Sequence, residues 1–204
     1  MTSRQNHWQN VYTTKDEESV SWFQDWPEAS LKLITRDGLP TDARIIDVGA
    51  GASRLVDALL AAGYANLTML DIAPAALDQA RARLGRHAET VQWVAADITA
   101  WTPPAAFDVW HDRAVFHFLT EAADRAAYRT ALEAGVKPGG RAIIGTFAPD
   151  GPQKCSGLPV VRYSPEALAA ELGARFRLID SLSETHHTPT GAVQHFQFSV
   201  LARL

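Results

Sequence analysis

Four acids and two glycines fall in an order that could hold a charged, sugar-bearing ligand. Asp47 precedes Gly49-Ala50-Gly51 and Ser53. Asp71 ends the next apolar run, 24 positions after Asp47, and Asp97 ends a third. An acid about 20 residues beyond a glycine turn can accept hydrogen bonds from a ribose diol. Asp47 suits a ligand that brings its own cation, and Arg54 stands where a dinucleotide fingerprint would want a third small residue. A second group follows the fourth apolar run: Asp112, Arg113 and His117, where His117 could serve as a base beside a reacting group.

These residues need rigid elements beneath them. Ile45-Ile46-Asp47-Val48 reads as a buried strand, Gly49-Ala50-Gly51 as a tight turn and Leu55 to Leu60 as an amphipathic helix, the opening βα unit of a Rossmann-like fold. The glycines are expected to let a ligand approach the backbone. Asn66 to Leu70 is a second strand, and residues 74 to 84 form a helix with Pro74 in its first turn, where the missing N–H costs nothing. Thr90 to Ala96 alternates as a third strand and Phe107 to His111 is a fourth. Glu121 to Gly135 reads as a helix, Lys137-Pro138-Gly139-Gly140 as a loop and Arg141 to Phe147 as a fifth strand.

Residues 148 to 163 form a long, breaker-rich loop holding Cys155, Arg162 and Tyr163; Ser164-Pro165-Glu166 then caps a helix running to Gly173. Two last strands, Phe176 to Leu182 and Val193 to Ala202, flank a turn-rich His186 to Gly191 and make a closing hairpin. Adjacent His186 and His187 would point to opposite faces of a strand, so no metal is expected. The first 40 residues concentrate Trp8, Tyr12, Trp22, Phe23 and Trp26 among acids, which reads as an aromatic lid or docking arm, and a short helix from Glu28 to Arg36 follows it.

The ordered set Asp47-Val48-Gly49-Ala50-Gly51, Asp71-Ile72, Ala96-Asp97-Ile98, Phe107-Asp108-Val109-Trp110 and Lys137-Pro138-Gly139-Gly140-Arg141 resembles the motifs of class I S-adenosylmethionine-dependent methyltransferases. The resemblance covers most of residues 41 to 148. It implies an α/β fold with a seven-stranded, mostly parallel sheet, an antiparallel C-terminal hairpin, helices on both faces and an N-terminal lid. It also implies S-adenosyl-L-methionine as cofactor, with Asp97 meeting the adenine amine and Ile98 the ring. The expected cofactor set is Trp8, Tyr12, Asp47, Gly49, Ala50, Gly51, Ser53, Asp71, Ile72, Asp97, Ile98 and Asp112. Acceptor contacts are expected from Trp22, Arg113, Cys155, Arg162 and Tyr163, because both segments leave the carboxyl ends of central strands, with His117 as the catalytic residue.

Two narrower resemblances differ on the acceptor. Trp8-x-x-x-Tyr12 with its aromatic arm resembles the thiopurine and the thiol or halide methyltransferases. That arm with Asp112-Arg113-Ala114-Val115-Phe116-His117 also resembles the lysine methyltransferases of elongation factor and citrate synthase, whose motif reads Asp-Lys-Gly-Thr-Leu-Asp; Arg113 and His117 depart from it. The expectation is a methyltransferase for a small molecule, a thiol among the candidates. Protein lysine is the alternative, and a catalytically inactive cofactor-binding partner subunit is the third reading.

The 204 residues suit one methyltransferase domain, with residues 1–40 as arm, 41–148 as cofactor core and 149–204 as acceptor loop and hairpin. A formal charge of −4 provides no basic footprint for nucleic acid, and one cysteine allows no internal disulfide framework. The N-terminus lacks a basic start followed by an apolar core, and no apolar run approaches a membrane span, so a soluble cytoplasmic protein is expected.

Overall fold

Ile45, Ile46 and Val48 have no solvent exposure, so the strand they form is covered on both faces and belongs inside a sheet. The computed structural model, which describes residues 2–204, places this strand, β1 (Arg44–Val48), between two parallel neighbours. These are β2 (Asn66–Asp71) and β4 (Phe107–Arg113); β3 (Gln92–Ala95) and β5 (Val136–Phe147) extend the parallel array outward. The hairpin of β8 (Phe176–His187) and β9 (Val193–Arg203) completes it, with β9 antiparallel to β5. The resulting seven-stranded order is β3-β2-β1-β4-β5-β9-β8.

Strand alternation divides the core into two layers. Ile45, Val109, Ile143 and Val200 face one side, under α2 (Glu28–Thr35), α3 (Leu55–Ala61) and α4 (Pro74–Leu84). Ile46, Trp110, Ala142 and Leu201 face the other, under α5 (Ala122–Gly135) and α6 (Pro165–Leu172). Each fully covered leucine, such as Leu59 of α3 or Leu132 of α5, contributes roughly 1.5–3 kcal/mol relative to leaving it exposed. Ser164 caps α6 by accepting from the Ala167 N–H at 3.2 Å, and Pro165 opens it, as its sequence implies.

Several boundaries differ from the sequence reading. β4 runs two residues past His111, to Arg113. β5 starts at Val136, before the expected loop at Lys137-Pro138-Gly139-Gly140, with a register shift opposite Phe107 and Val109 that absorbs the glycines. β8 reaches His187, because His186 is buried and hydrogen-bonded to the Ser21 carbonyl at 2.8 Å; the turn is confined to residues 188–192. The long loop contains a small hairpin, β6 (Lys154–Cys155) with β7 (Leu158–Pro159), closed by Ser156 and Gly157 at positive φ. The N-terminal arm begins as a helix, α1 (Ser3–Thr14), capped by the Thr2 side chain. No helix among the described residues is long and apolar enough to cross a membrane.

Candidate active site

The turn after β1 is fastened to the end of β2. Gly49 and Ala50 both donate to the Leu70 carbonyl, at 2.7 and 3.0 Å. Asp71 takes the next two donors, Gly51 N–H on Oδ2 at 2.9 Å and Ala73 N–H on Oδ1 at 2.8 Å. Burial raises its pKa to about 6, against the pull of those N–H groups. Gly49 and Gly51 have φ of +69° and +56°, and their missing side chains are used by the protein itself. A Cβ on Gly49 would stand 1.9 Å from Val115 Cγ2, and one on Gly51 would stand 2.4 Å from the Tyr12 hydroxyl oxygen. At both glycines the space a Cβ would need is taken by a side chain that walls the site, Val115 at Gly49 and Tyr12 at Gly51.

Helical spacing explains the arm's contribution. Arg4, Trp8 and Tyr12 recur every fourth residue of α1 and line one cavity together. Trp8 packs edge-on against Trp22 and Phe118, at centroid distances of 5.7 and 5.1 Å. The arm is tied down at both sides. Gln79 donates to the Tyr12 carbonyl at 2.7 Å, while Glu17 bridges Arg54 at 3.2 Å and Arg83 at 3.0 Å. Arg83 also binds Asp57 and the carbonyls of Ala52 and Ser53, so it secures the glycine loop as well.

The cavity beneath the arm encloses about 810 Å³ including its mouth. It runs from Asp71, Ile72, Asp97 and Ile98 at the ends of β2 and β3 to Arg113, Cys155 and Phe196 at the other extreme. Asp97 is held by the Thr99 N–H and hydroxyl at 2.9 and 2.7 Å. A smaller cavity adjoins it, lined by Asp47, Ala50, Ser53, Arg54, Ser30 and His111, and Tyr12, Trp22, Gly49 and Arg113 line both. Arg113 lies over the Phe196 ring at 4.6 Å and donates to the Trp22 carbonyl at 3.1 Å. Burial draws its guanidinium below the ordinary value and raises the Cys155 thiol to about 11, so Cys155 is a neutral wall residue.

Trp8, Tyr12, Gly49, Asp71, Ile72, Asp97 and Ile98 from the expected cofactor set thus meet in the large cavity, with Trp22, Arg113 and Cys155 from the acceptor set. Asp47, Ala50 and Ser53 lie in the adjoining one, and Gly51 acts through its N–H to Asp71. Four expected residues lie elsewhere. Asp112 points to the α5 face, where it accepts from the Val115 and Phe116 N–H groups and from the Tyr128 hydroxyl at 2.6 Å. His117 has no exposure; its Nδ1 accepts from the Phe147 N–H at 3.4 Å, and burial lowers its pKa to about 3, so it is neutral and inside the core. Tyr163 packs on Phe116 at 5.5 Å, and exposed Arg162 donates to the Gly151 carbonyl at 3.2 Å.

Sequence reasoning gave no role to His111, Ser30, Arg4, Phe118 or Phe196. The spacing of Arg4 from Trp8 and Tyr12 was the one local signal among them.

Residues 45–140 match the methyltransferase-domain family model. Among curated relatives, the chain is 35% identical over 121 residues to a trans-aconitate 2-methyltransferase of Methylobacterium radiotolerans, covering 58% of this chain and 43% of that protein. It is 29% identical over 105 residues to EEF1A lysine methyltransferase 4 of Mus musculus, covering 50% of this chain and 40% of that one. The chain thus matches less than half the length of either curated relative. Its fold superposes on the N-methyltransferase NodS of Bradyrhizobium japonicum WM9, solved with S-adenosylhomocysteine, with a TM-score of 0.71 at 18% identity, covering 97% of this chain and 98% of that one. Residues 45–140, just under half of the chain, thus match a methyltransferase domain, and the chain as a whole shares its fold with a solved N-methyltransferase.

Proposed function

We propose that the chain transfers a methyl group from S-adenosylmethionine to a small-molecule acceptor. The observation that carries this reading is the continuous cavity under α1, with Asp71 and Asp97 at one extreme and an aromatic box with Arg113 and Cys155 at the other. The residues fit the cofactor: Asp71 keeps lone pairs beyond its two backbone donors, suited to a ribose diol, and Ile72 and Ile98 provide apolar contacts for adenine. Bound there, S-adenosylmethionine supplies a methyl on a sulfonium, which is already an activated leaving group.

The chain's own part is to align and to exclude water. Trp8, Trp22, Phe118 and Phe196 dry the acceptor end, and the arm closes over it. Among the described residues no effective base lines that end: His117 is enclosed in the core, where burial lowers its pKa to about 3 and leaves it a weak base, and Cys155 is a neutral thiol. The acceptor must therefore bring its own nucleophilic form, which suits a thiol or a carboxylate better than a protonated amine. The similarity to trans-aconitate 2-methyltransferase supports a small carboxylate. The similarity to a lysine methyltransferase favours protein lysine as the second reading. Turnover of S-adenosylmethionine with a panel of small thiols, carboxylates and amines, and with elongation factor as protein substrate, tests both. Absence of S-adenosylhomocysteine binding in calorimetry would remove the proposal altogether.

A further inference from the structure

Asp47 is only 3% exposed and lines the smaller cavity, yet no lysine or arginine lies within ion-pair distance of it among the described residues. A buried carboxylate without a cation is costly unless something completes it. Its single hydrogen bond comes from His111, whose Nδ1 stands 2.7 Å from Oδ1. Behind the ring, His111 Nε2 is 2.9 Å from the Ser30 hydroxyl of α2. With Nδ1–H given to the carboxylate, Nε2 pairs with the Ser30 hydroxyl, and the two bonds fix the rotation of the ring. The chain spans three elements: Asp47 and His111 are register partners on β1 and β4, and α2 supplies the serine.

An Asp–His–Ser series also has the order of a nucleophilic triad, but the Ser30 hydroxyl is engaged by His111 Nε2, whereas one Asp47 oxygen carries no hydrogen bond from the described residues. The open end is Asp47. Resting on the cofactor reading above, we infer that His111, braced by Ser30, is a positioning residue that turns the Asp47 carboxylate toward the ammonium group of the cofactor's amino-acid tail. The ligand's ammonium then gives Asp47 the close ion pair that no lysine or arginine among the described residues makes with it.

Two ligands separate this role from general packing. S-adenosylhomocysteine carries the amino-acid tail and 5′-methylthioadenosine lacks it, while both present the same adenosine to Asp71 and Asp97. By calorimetry, His111→Phe should weaken S-adenosylhomocysteine at least tenfold and leave 5′-methylthioadenosine within threefold. His111→Asn, whose amide nitrogen can take the place of Nδ1, should restore most of the loss. Ser30→Ala, a milder change, should show the same selectivity at three- to tenfold and decides the matter if His111→Phe does not fold. Equal losses for both ligands, or no loss for either in Ser30→Ala, overturns the proposal. Wild-type protein that binds neither ligand removes the cofactor reading and this one with it.

Discussion

Replacing Asp71 by asparagine alters the centre of the site with almost no change in shape. A carboxylate can accept the Gly51 and Ala73 N–H groups together; an amide would turn its own NH₂ toward one of them. Losing one hydrogen bond to a charged group costs about 1.5–3 kcal/mol. Against this, the Asp71 pKa is lifted by burial from 3.8 to about 6, so holding its charge near neutral pH costs the fold about 3 kcal/mol, which asparagine removes. The two effects oppose each other, and folding stability at pH 7.5 should change by less than about 1.5 kcal/mol. Binding has no such compensation. A ribose diol that loses a charged acceptor should bind about 1.5–3 kcal/mol more weakly, a loss of roughly ten- to more than a hundredfold for S-adenosylhomocysteine.

The pH dependence gives a second reading of the same residue. Because the folded value lies above the ordinary one, the folded protein holds the proton more tightly, so the stability contributed by Asp71 is complete below about pH 4 and is lost as pH rises through about 6. Asparagine should erase that part of the slope, leaving the similar one from Asp112, which burial also raises to about 6. Denaturant melts from pH 4 to 8 measure it, and calorimetry at pH 7.5 measures affinity. Unchanged affinity in a folded Asp71→Asn variant would reduce Asp71 to a staple between two loops and refute the ribose assignment.

Two other substitutions probe what surrounds the site. Tyr128→Phe takes the hydroxyl from Asp112 and the acceptor from Trp110 Nε1, which sits 3.0 Å away, and should destabilise the fold by about 1.5–3 kcal/mol while leaving cofactor affinity within threefold, since neither partner reaches the cavity. A loss of affinity without loss of stability would contradict the placement of Asp112. Arg83→Ala removes one of the two arginines that hold Glu17 and frees the Ala52 and Ser53 carbonyls, and should cost about 1–2 kcal/mol, with faster amide exchange over α1 and the glycine loop. Exchange that stays at the wild-type rate would show that the arm is held by its aromatic packing alone.

The parts legible from the sequence are those whose cause is local. Asp47 to Leu55 announces a strand, a turn and a helix through neighbouring residues, and Asp71 marks the end of the next strand by its place in an apolar run. The acceptor end depends on parity. In β4, Trp110 and Asp112 point to α5, whereas His111 and Arg113 point to the α2 side, so one of the two neighbouring candidates reaches the cavity and the other becomes a turn cap. Nothing near Asp112 in the sequence declares that choice. The histidine that matters to Asp47 is met across the β1–β4 register, and its serine lies 81 positions away on a helix that precedes both strands. Tyr163 lies in a long loop of the kind that often carries chemistry, but the Phe147 carbonyl captures its N–H and Phe116 packs on its ring.

Residue 51 doubles as a selector for the arm. The Tyr12 hydroxyl occupies the volume that one methyl group on Gly51 would fill, so the glycine loop and α1 compete for the same few cubic ångströms. A chain without the arm would leave that socket empty, and a chain with alanine at 51 would expel the phenol while every residue of α1 stayed as it is, at an added backbone cost of about 1 kcal/mol for the left-handed φ. An engineer wanting this cavity permanently uncovered would therefore edit the loop and spare the cover.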